Sequence, residues 1–250
     1  MMALSEFRGL ARSVSIYYGN PLRSRAHRSF YRQFINPGDL CFDVGAHVGN
    51  HVRTMLKLGA KVVAVEPQPR FQWLLRRLYG DNPEVTLVDK ALGAGPGEAE
   101  LYVSSRFPTV TTLSRDWIKS VGRAASFSQV SWDSRVTVEV TTLDSLIAQH
   151  GPPAYCKIDV EGFEPEVLKG LGAALPCLSF EFIPAALDGA HACIERLLSL
   201  GDYEFNVSMG EHMRFELPQW SDAGALGAWL DNLAIDDLSG DVYCRLKARA

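Results

Sequence analysis

A doubly wound α/β sheet is the fold class this 250-residue chain predicts. Three observations lead there. Short apolar runs alternate with segments of helical periodicity, the pattern of strands joined by crossover helices. The runs are continuous rather than alternating, which suits parallel strands buried on both faces. Several end in an acid, and the first is followed at once by the loop Asp43-Val44-Gly45-Ala46-His47-Val48-Gly49. Open sheets of this kind take ligands beyond the carboxyl ends of their strands.

Composition sets the frame. Apolar residues make up 47% and charged residues 22%, ordinary for a globular protein. One main domain over residues 37–250 is expected, preceded by a helical extension over residues 1–36. That extension carries Arg8, Arg12, Arg23, Arg25, Arg28 and Arg32 against the single acid Glu6. It reads as a helical cover with a solvated basic face, or more sharply as a basic lip for an anionic substrate or membrane surface. A net charge of −4 argues against generic nucleic-acid binding. The five cysteines are scattered and form no C-x-x-C pair, so they read as buried thiols of a reducing compartment. No apolar run reaches ~18 residues, so no membrane-spanning helix is expected. With no signal-peptide core at the N-terminus, the expected location is the cytoplasm.

Element by element, residues 39–44 read as the first core strand and 49–59 as a helix with Val52, Met55, Leu56 and Leu58 inside. Residues 62–65 form a second strand ended by Glu66. A helix over 68–79 turns Phe71, Leu74, Leu75 and Leu78 inward, and a third strand ends at Asp89. Strand-like stretches follow at 98–103, 110–113 and 135–141, with an uncharged, mobile loop expected at 124–131. Beyond a short helix at 143–148, a core strand over 154–160 runs into Lys157-Ile158-Asp159-Val160-Glu161-Gly162. Then come a helix at 164–171, a strand at 177–182 and a helix at 194–200. Residues 203–207 and 213–217 suggest a hairpin. A helix at 223–233 and a strand at 242–246 close the chain.

The glycine loop excludes two ligands. A dinucleotide fingerprint beginning at Gly45 needs glycine where His47 and Asn50 stand. The triphosphate loop G-x-x-x-x-G-K-[ST] is absent. What remains is Asp43-x-Gly45-x-x-x-Gly49, whose glycines let the backbone turn sharply beside a flat ligand. Glu66 at the second strand tip can accept both hydrogens of a ribose diol, and Asp89 at the third can accept from an adenine amino group. A ribose, an adenine, an amino group and a positive sulfur without phosphates describe S-adenosylmethionine. Each acid taken singly could instead be a helix cap.

These segments resemble the FkbM-type family of S-adenosylmethionine-dependent methyltransferases. The likeness rests on residues 37–39 with the loop at 43–49, Val65-Glu66-Pro67, residues 85–93, Thr141-Thr142-Leu143-Asp144, Lys157 to Gly162 with residues 164–170, and Glu181. It departs at His47 and Asp89, where the family more often has asparagine. The resemblance implies a Rossmann-like, seven-stranded class I methyltransferase sheet with its last strand antiparallel. Methyl transfer, usually to a hydroxyl of a sugar, glycolipid or polyketide-like acceptor, is implied as well. The cofactor set expected from motif and resemblance is Asp43, Gly45, Ala46, His47, Gly49, Glu66, Pro67, Asp89 and Ala91.

The chemistry is expected at Lys157, Asp159 and Glu161, which period-2 geometry puts on one side if the strand continues. An alcohol acceptor must lose a proton, so Asp159 or Glu161 serves as base, or Asp159, Glu161 and Glu181 hold Mg²⁺ or Ca²⁺ through oxygen. The metal-free version is preferred. Lys157 is the expected partner of Glu181, because a buried charge needs one. His27, His150, His191 and His212 lack a motif and read as surface residues. The expected partner is a small-molecule or glycan acceptor and not nucleic acid, with a homo-oligomer left open. The rival readings are an NAD-dependent sugar oxidoreductase and a non-catalytic binding protein on the same fold.

Overall fold

The computed structural model describes residues 21–247, with side chains from residue 24 onward. The first half of the expected extension, including Glu6, Arg8 and Arg12, lies outside the described residues. Seven strands form the main sheet: β1 (Leu40–Val44), β2 (Lys61–Val65), β3 (Val85–Val88), β7 (Tyr155–Ile158), β8 (Cys177–Phe182), β9 (Tyr203–Met209) and β10 (Gly240–Leu246). Their order is β3-β2-β1-β7-β8-β10-β9. β10 runs antiparallel to both of its neighbours, β8 and β9. β1, β2, β3, β7 and β8 pair in parallel. This is the class I methyltransferase sheet, with the last strand inserted antiparallel.

Period-2 alternation splits the core into two layers. On β1, Phe42 and Val44 face one side, while Cys41 faces the other. The Cys41 side is covered by α1 (Pro21–Tyr31), α2 (Asn50–Lys57) and α3 (Pro69–Tyr79) through Phe30, Tyr31, Val52, Met55, Leu75 and Tyr79. Phe71, Leu75 and Tyr79 recur every four residues, so one stripe of α3 is buried. Leu78 falls off that stripe and is 47% exposed, contrary to expectation. A short helix, α4 (Arg115–Val121), packs its Trp117 against Gly162. The Phe42 side is covered by α5 (Leu143–His150), α6 (Glu164–Lys169), α7 (Leu187–Leu200) and α8 (Ala223–Leu230). All five cysteines are free and buried, four of them in strands.

The strand-like stretches at 98–103 and 135–141 pair with each other as β5 (Gly97–Val103) and β6 (Ser134–Thr141), and with β4 (Ala91–Leu92) they make a separate three-stranded sheet. One further expectation changes. Residues 203–207 and 213–217 do not form a hairpin: β9 takes β10 as its ladder partner. The second stretch lies along β9 without a ladder: the Glu216 N–H donates to the Val207 carbonyl at 2.9 Å, and the Asn206 side chain exchanges hydrogen bonds with the Leu217 backbone.

The loop after β1 is built around Gly45. Its φ is +87°, and a Cβ there would sit 1.8 Å from the Asp159 carbonyl oxygen. Gly45 and Ala46 both donate N–H to the Val65 carbonyl, at 2.9 Å each. The loop is thereby locked between the ends of β2 and β7. Gly45→Ala should destabilise the fold by several kcal/mol in urea unfolding, well beyond the ~1 kcal/mol typical of a helix-interior swap. Gly95→Ala, where a Cβ meets nothing within 4 Å, is the control expected to be near neutral. Equal stabilities for the two variants would contradict this packing.

Candidate active site

The carboxyl ends of β1, β2 and β7 open into a cavity of about 350 Å³. Its first wall follows β2. Glu66 is only 6% exposed, and its two oxygens accept the backbone N–H groups of His47 and Gln68, at 2.8 Å each. Burial pushes its pKa up to about 7, with the two backbone bonds working the other way. Pro67, Gly45 and His47 line the same wall. The His47 ring packs edge-on against Phe71 at 4.0 Å. Burial lowers its pKa to about 4, so it is a neutral imidazole near pH 7. Ala91, Leu92, Leu101 and Pro108 add an apolar side fit for a flat ring.

The other expected cofactor residues do not reach this cavity. Asp43 is buried beneath the loop, where its carboxylate accepts the Val52 N–H in the first turn of α2. The helix-cap reading therefore describes it best. Burial, only partly offset by Lys157, raises its pKa to about 7. Ala46 and Gly49 shape the loop from behind; a Cβ on Gly49 would meet Tyr79 at 2.7 Å. Asp89 is a correction. It stands 61% exposed outside the cavity, ion-paired with Arg76 at 2.8 Å. Strand β3 ends one residue earlier, at the outer edge of the sheet, so its tip looks to solvent rather than to the cleft.

The second wall follows β7. Lys157 is 2% exposed, and its Nζ lies 2.6 Å from Asp159 Oδ2 and 3.9 Å from Asp241 Oδ1. Burial would discharge the ammonium, but Asp159 and then Asp241 outweigh it and hold the pKa well above the usual lysine range. Glu161 sits in a left-handed turn, φ 56°, with its carbonyl accepting the Thr112 hydroxyl at 2.6 Å. Carboxylate oxygens of Asp159, Glu161 and Glu181 gather within 4.8 Å of one another. Burial first, and then their mutual repulsion, pushes Glu161 and Glu181 well above the usual carboxylate range. Glu164 stays beneath them, accepting the Val160 N–H at 2.9 Å.

The expected Lys157–Glu181 pair is not made. Ladder register sets Lys157 opposite Ser179, with Glu181 two residues further along β8. Two residues of strand cover about 6.6 Å. Glu181 thus stands level with the acids beyond β7, and Lys157 turns to Asp159 instead.

Sequence reading also missed the third wall. His27 on α1 is 4% exposed, stacks on His51 at 5.5 Å and pairs with Glu211 at 2.8 Å. Tyr31 shares a hydrogen bond with His51 Nδ1 at 3.2 Å. His51, Glu211, Met213 and Asp241 line the cavity there. A signal was present: His27 falls three and four residues before Phe30 and Tyr31, on the buried stripe of the helix. Asp241 carried no local signal, since only the antiparallel insertion of β10 brings it beside Glu181.

These buried acids make stability pH-dependent. Asp43 and Asp241 rise from 3.8 to about 7 and about 6, and Glu66 and Glu164 rise from 4.5 to about 7. A carboxyl with a raised folded pKa binds its proton more tightly when folded. Its stabilising contribution is complete below the unfolded value and is lost as pH climbs through the folded one. The ligand-free chain should therefore lose thermal stability between about pH 4.5 and about pH 7. A melting temperature that rises across that interval would contradict the burial of these groups.

Comparison with known proteins follows the same lines. Ribosomal RNA small subunit methyltransferase A of Phenylobacterium zucineum is 28% identical over 134 residues. That match covers 50% of this chain and 44% of the relative, so the chain spans less than half of the relative's length. The O-methyltransferase of Bacillus cereus, solved in complex with SAH, superposes with a TM-score of 0.48 at 9% identity, over 96% of this chain and 91% of that one. Precorrin-6y C5,15-methyltransferase of Geobacter metallireducens gives 0.45 at 14% identity, over 90% and 87%. The family model for the methyltransferase FkbM domain matches residues 43–205, from the acid that caps α2 to the middle of β9, and the chain belongs to that family of S-adenosylmethionine-dependent methyltransferases.

Proposed function

We propose that this chain is an O-methyltransferase acting on a hydroxyl of a sugar, glycolipid or polyketide-like small molecule. The observation that carries the reading is the carboxylate cluster of Asp159, Glu161 and Glu181 opening onto the same cavity as Glu66. The residues fit the cofactor. Glu66 is a buried acid with no ion pair among the described residues, suited to a ribose diol. Gln68 adds a buried Oε1 that has no partner among the described residues. Glu66, Gly45, His47, Pro67 and Ala91 would hold the cofactor. When bound, it supplies a methyl on a sulfonium that is already a good leaving group.

What the chain adds is position and a base. Holding an acceptor hydroxyl in line can be worth ~7–11 kcal/mol. Asp159 is committed to Lys157, which leaves Glu161 as the group to take the hydroxyl proton onto its carboxylate. Burial first, and then Asp159 and Glu164 beside it, raise its affinity for that proton. Lys157 pairs with Asp159 and puts a positive charge beside the reacting groups. The lining carries Glu66, Asp159, Glu161, Glu181, Glu211 and Asp241 against Lys157. A neutral hydroxyl acceptor suits that lining better than the phosphate chain of an RNA, the acceptor class that the relative's name suggests.

A second reading has its own support. With Glu181 free of Lys157, the three acids offer three oxygen ligands, a donor set for Mg²⁺ or Ca²⁺.

One paired experiment tests the assignment. Glu66→Ala should abolish or greatly weaken S-adenosylmethionine binding by calorimetry. Glu161→Gln should keep that affinity and lower kcat about 10²–10⁴-fold, followed as S-adenosylhomocysteine release. Unchanged affinity in the first variant would overturn the ribose role, and unchanged kcat in the second would overturn the base. Activity that survives a chelator supports the metal-free route; loss restored by Mg²⁺ selects the metal.

A further inference from the structure

The three helices over the Cys41 side of the sheet read PLRSRAHRSFY, NHVRTMLK and PRFQWLLRRLY, and they contain no acid. Yet the chain as a whole has a net charge of −4. The helices of the opposite side carry Asp144, Glu164, Glu166, Asp188 and Glu195 against only Lys169 and Arg196. Charge is thus sorted between the two faces of the sheet. On α1, Arg25, Arg28 and the following Arg32 recur at helical spacing on the side away from the buried His27, Phe30 and Tyr31. On α2, Arg53 and Lys57 are one turn apart on the side away from Val52 and Met55. The two helices form one patch: the Lys57 pKa is lowered by burial first, then by Arg53 and Arg28.

The outer side of α3 adds apolar surface to this charge. Trp73 is 50% exposed and Leu78 47%. The Arg77 guanidinium lies over the Trp73 ring, 5.2 Å from its centre. Arg76 is one turn beyond Trp73, and its only ion-pair partner among the described residues is the equally exposed Asp89. A face with this excess of positive side chains draws an anionic surface to it. An exposed tryptophan flanked by arginines suits the boundary between water and lipid, where an amphipathic ring and long cationic stems both find partners. A duplex nucleic acid would meet the arginines but has no use for Leu78. No helix among the described residues is long and apolar enough to cross a membrane, so contact would be peripheral.

We propose that the face formed by α1, α2 and α3 docks on an anionic lipid bilayer. The proposal does not depend on the methyl-transfer reading.

The test is co-sedimentation of the full chain with vesicles. Equal parts phosphatidylcholine and phosphatidylserine are compared with phosphatidylcholine alone, at low and high salt. The chain should sediment with the anionic vesicles at low salt, stay free with the neutral ones, and be released by salt. Arg25→Gln with Lys57→Gln should weaken binding about 25-fold, at roughly fivefold per charge removed. Trp73→Ala should weaken it as well, and all these exposed positions should leave thermal melting unchanged. Equal sedimentation with both vesicle types, or undiminished binding by the variants, would overturn the proposal. So would tighter binding to a mixed-sequence duplex RNA than to the anionic vesicles at the same salt.

Discussion

Lys157 is the charge on which the cleft depends. It comes from a parallel strand, with Asp43 and Ser179 opposite it on the two neighbouring strands, and it is almost fully buried. An isolated ammonium there would discharge, because burial penalises its charged form. Asp159 and Asp241 prevent this. Its commitment to Asp159 also explains why Glu161 and Glu181 are left with no cation. Two carboxyl groups without a counter-charge, facing a cavity, are costly as structure. They make sense as a base or as ligands, because catalytic groups are where such costs are tolerated.

The wall along β2 and the wall along β7 are one mechanical unit. Gly45 lies directly against the Asp159 carbonyl, so the loop after β1 and the loop after β7 cannot move independently. Glu66 is tied back to that first loop through the His47 N–H. Three strand ends are thus held together by backbone contacts and by one buried carboxylate. Such a frame favours in-line transfer, where small errors of alignment are expensive.

Much of this was legible from local sequence. Continuous apolar runs gave the parallel strands, and the acid at the end of β2 gave Glu66. What failed was what depends on register and topology. The strand-end rule put Asp89 in the cleft, but β3 is the edge strand, and an edge tip faces solvent. Pairing by charge joined Lys157 to Glu181, but the ladder offsets them by two residues. Asp241 and Glu211 enter the site only because β10 inserts between β8 and β9. His27 arrives because α1 packs against α2 over the sheet. None of these long-range neighbours is encoded in a window of a few residues. The glycine at 45, by contrast, marked a backbone constraint that the packing then explained.

The central claim is that Glu66 and the Asp159–Glu161–Glu181 cluster serve one ligand-bound cleft from opposite walls. A crystal structure of the chain with S-adenosylhomocysteine tests it most directly. The account predicts the ribose hydroxyls on the Glu66 carboxylate, and the sulfur facing the space beside Glu161. A ribose bound elsewhere, or a sulfur pointing away from the three acids, would contradict it.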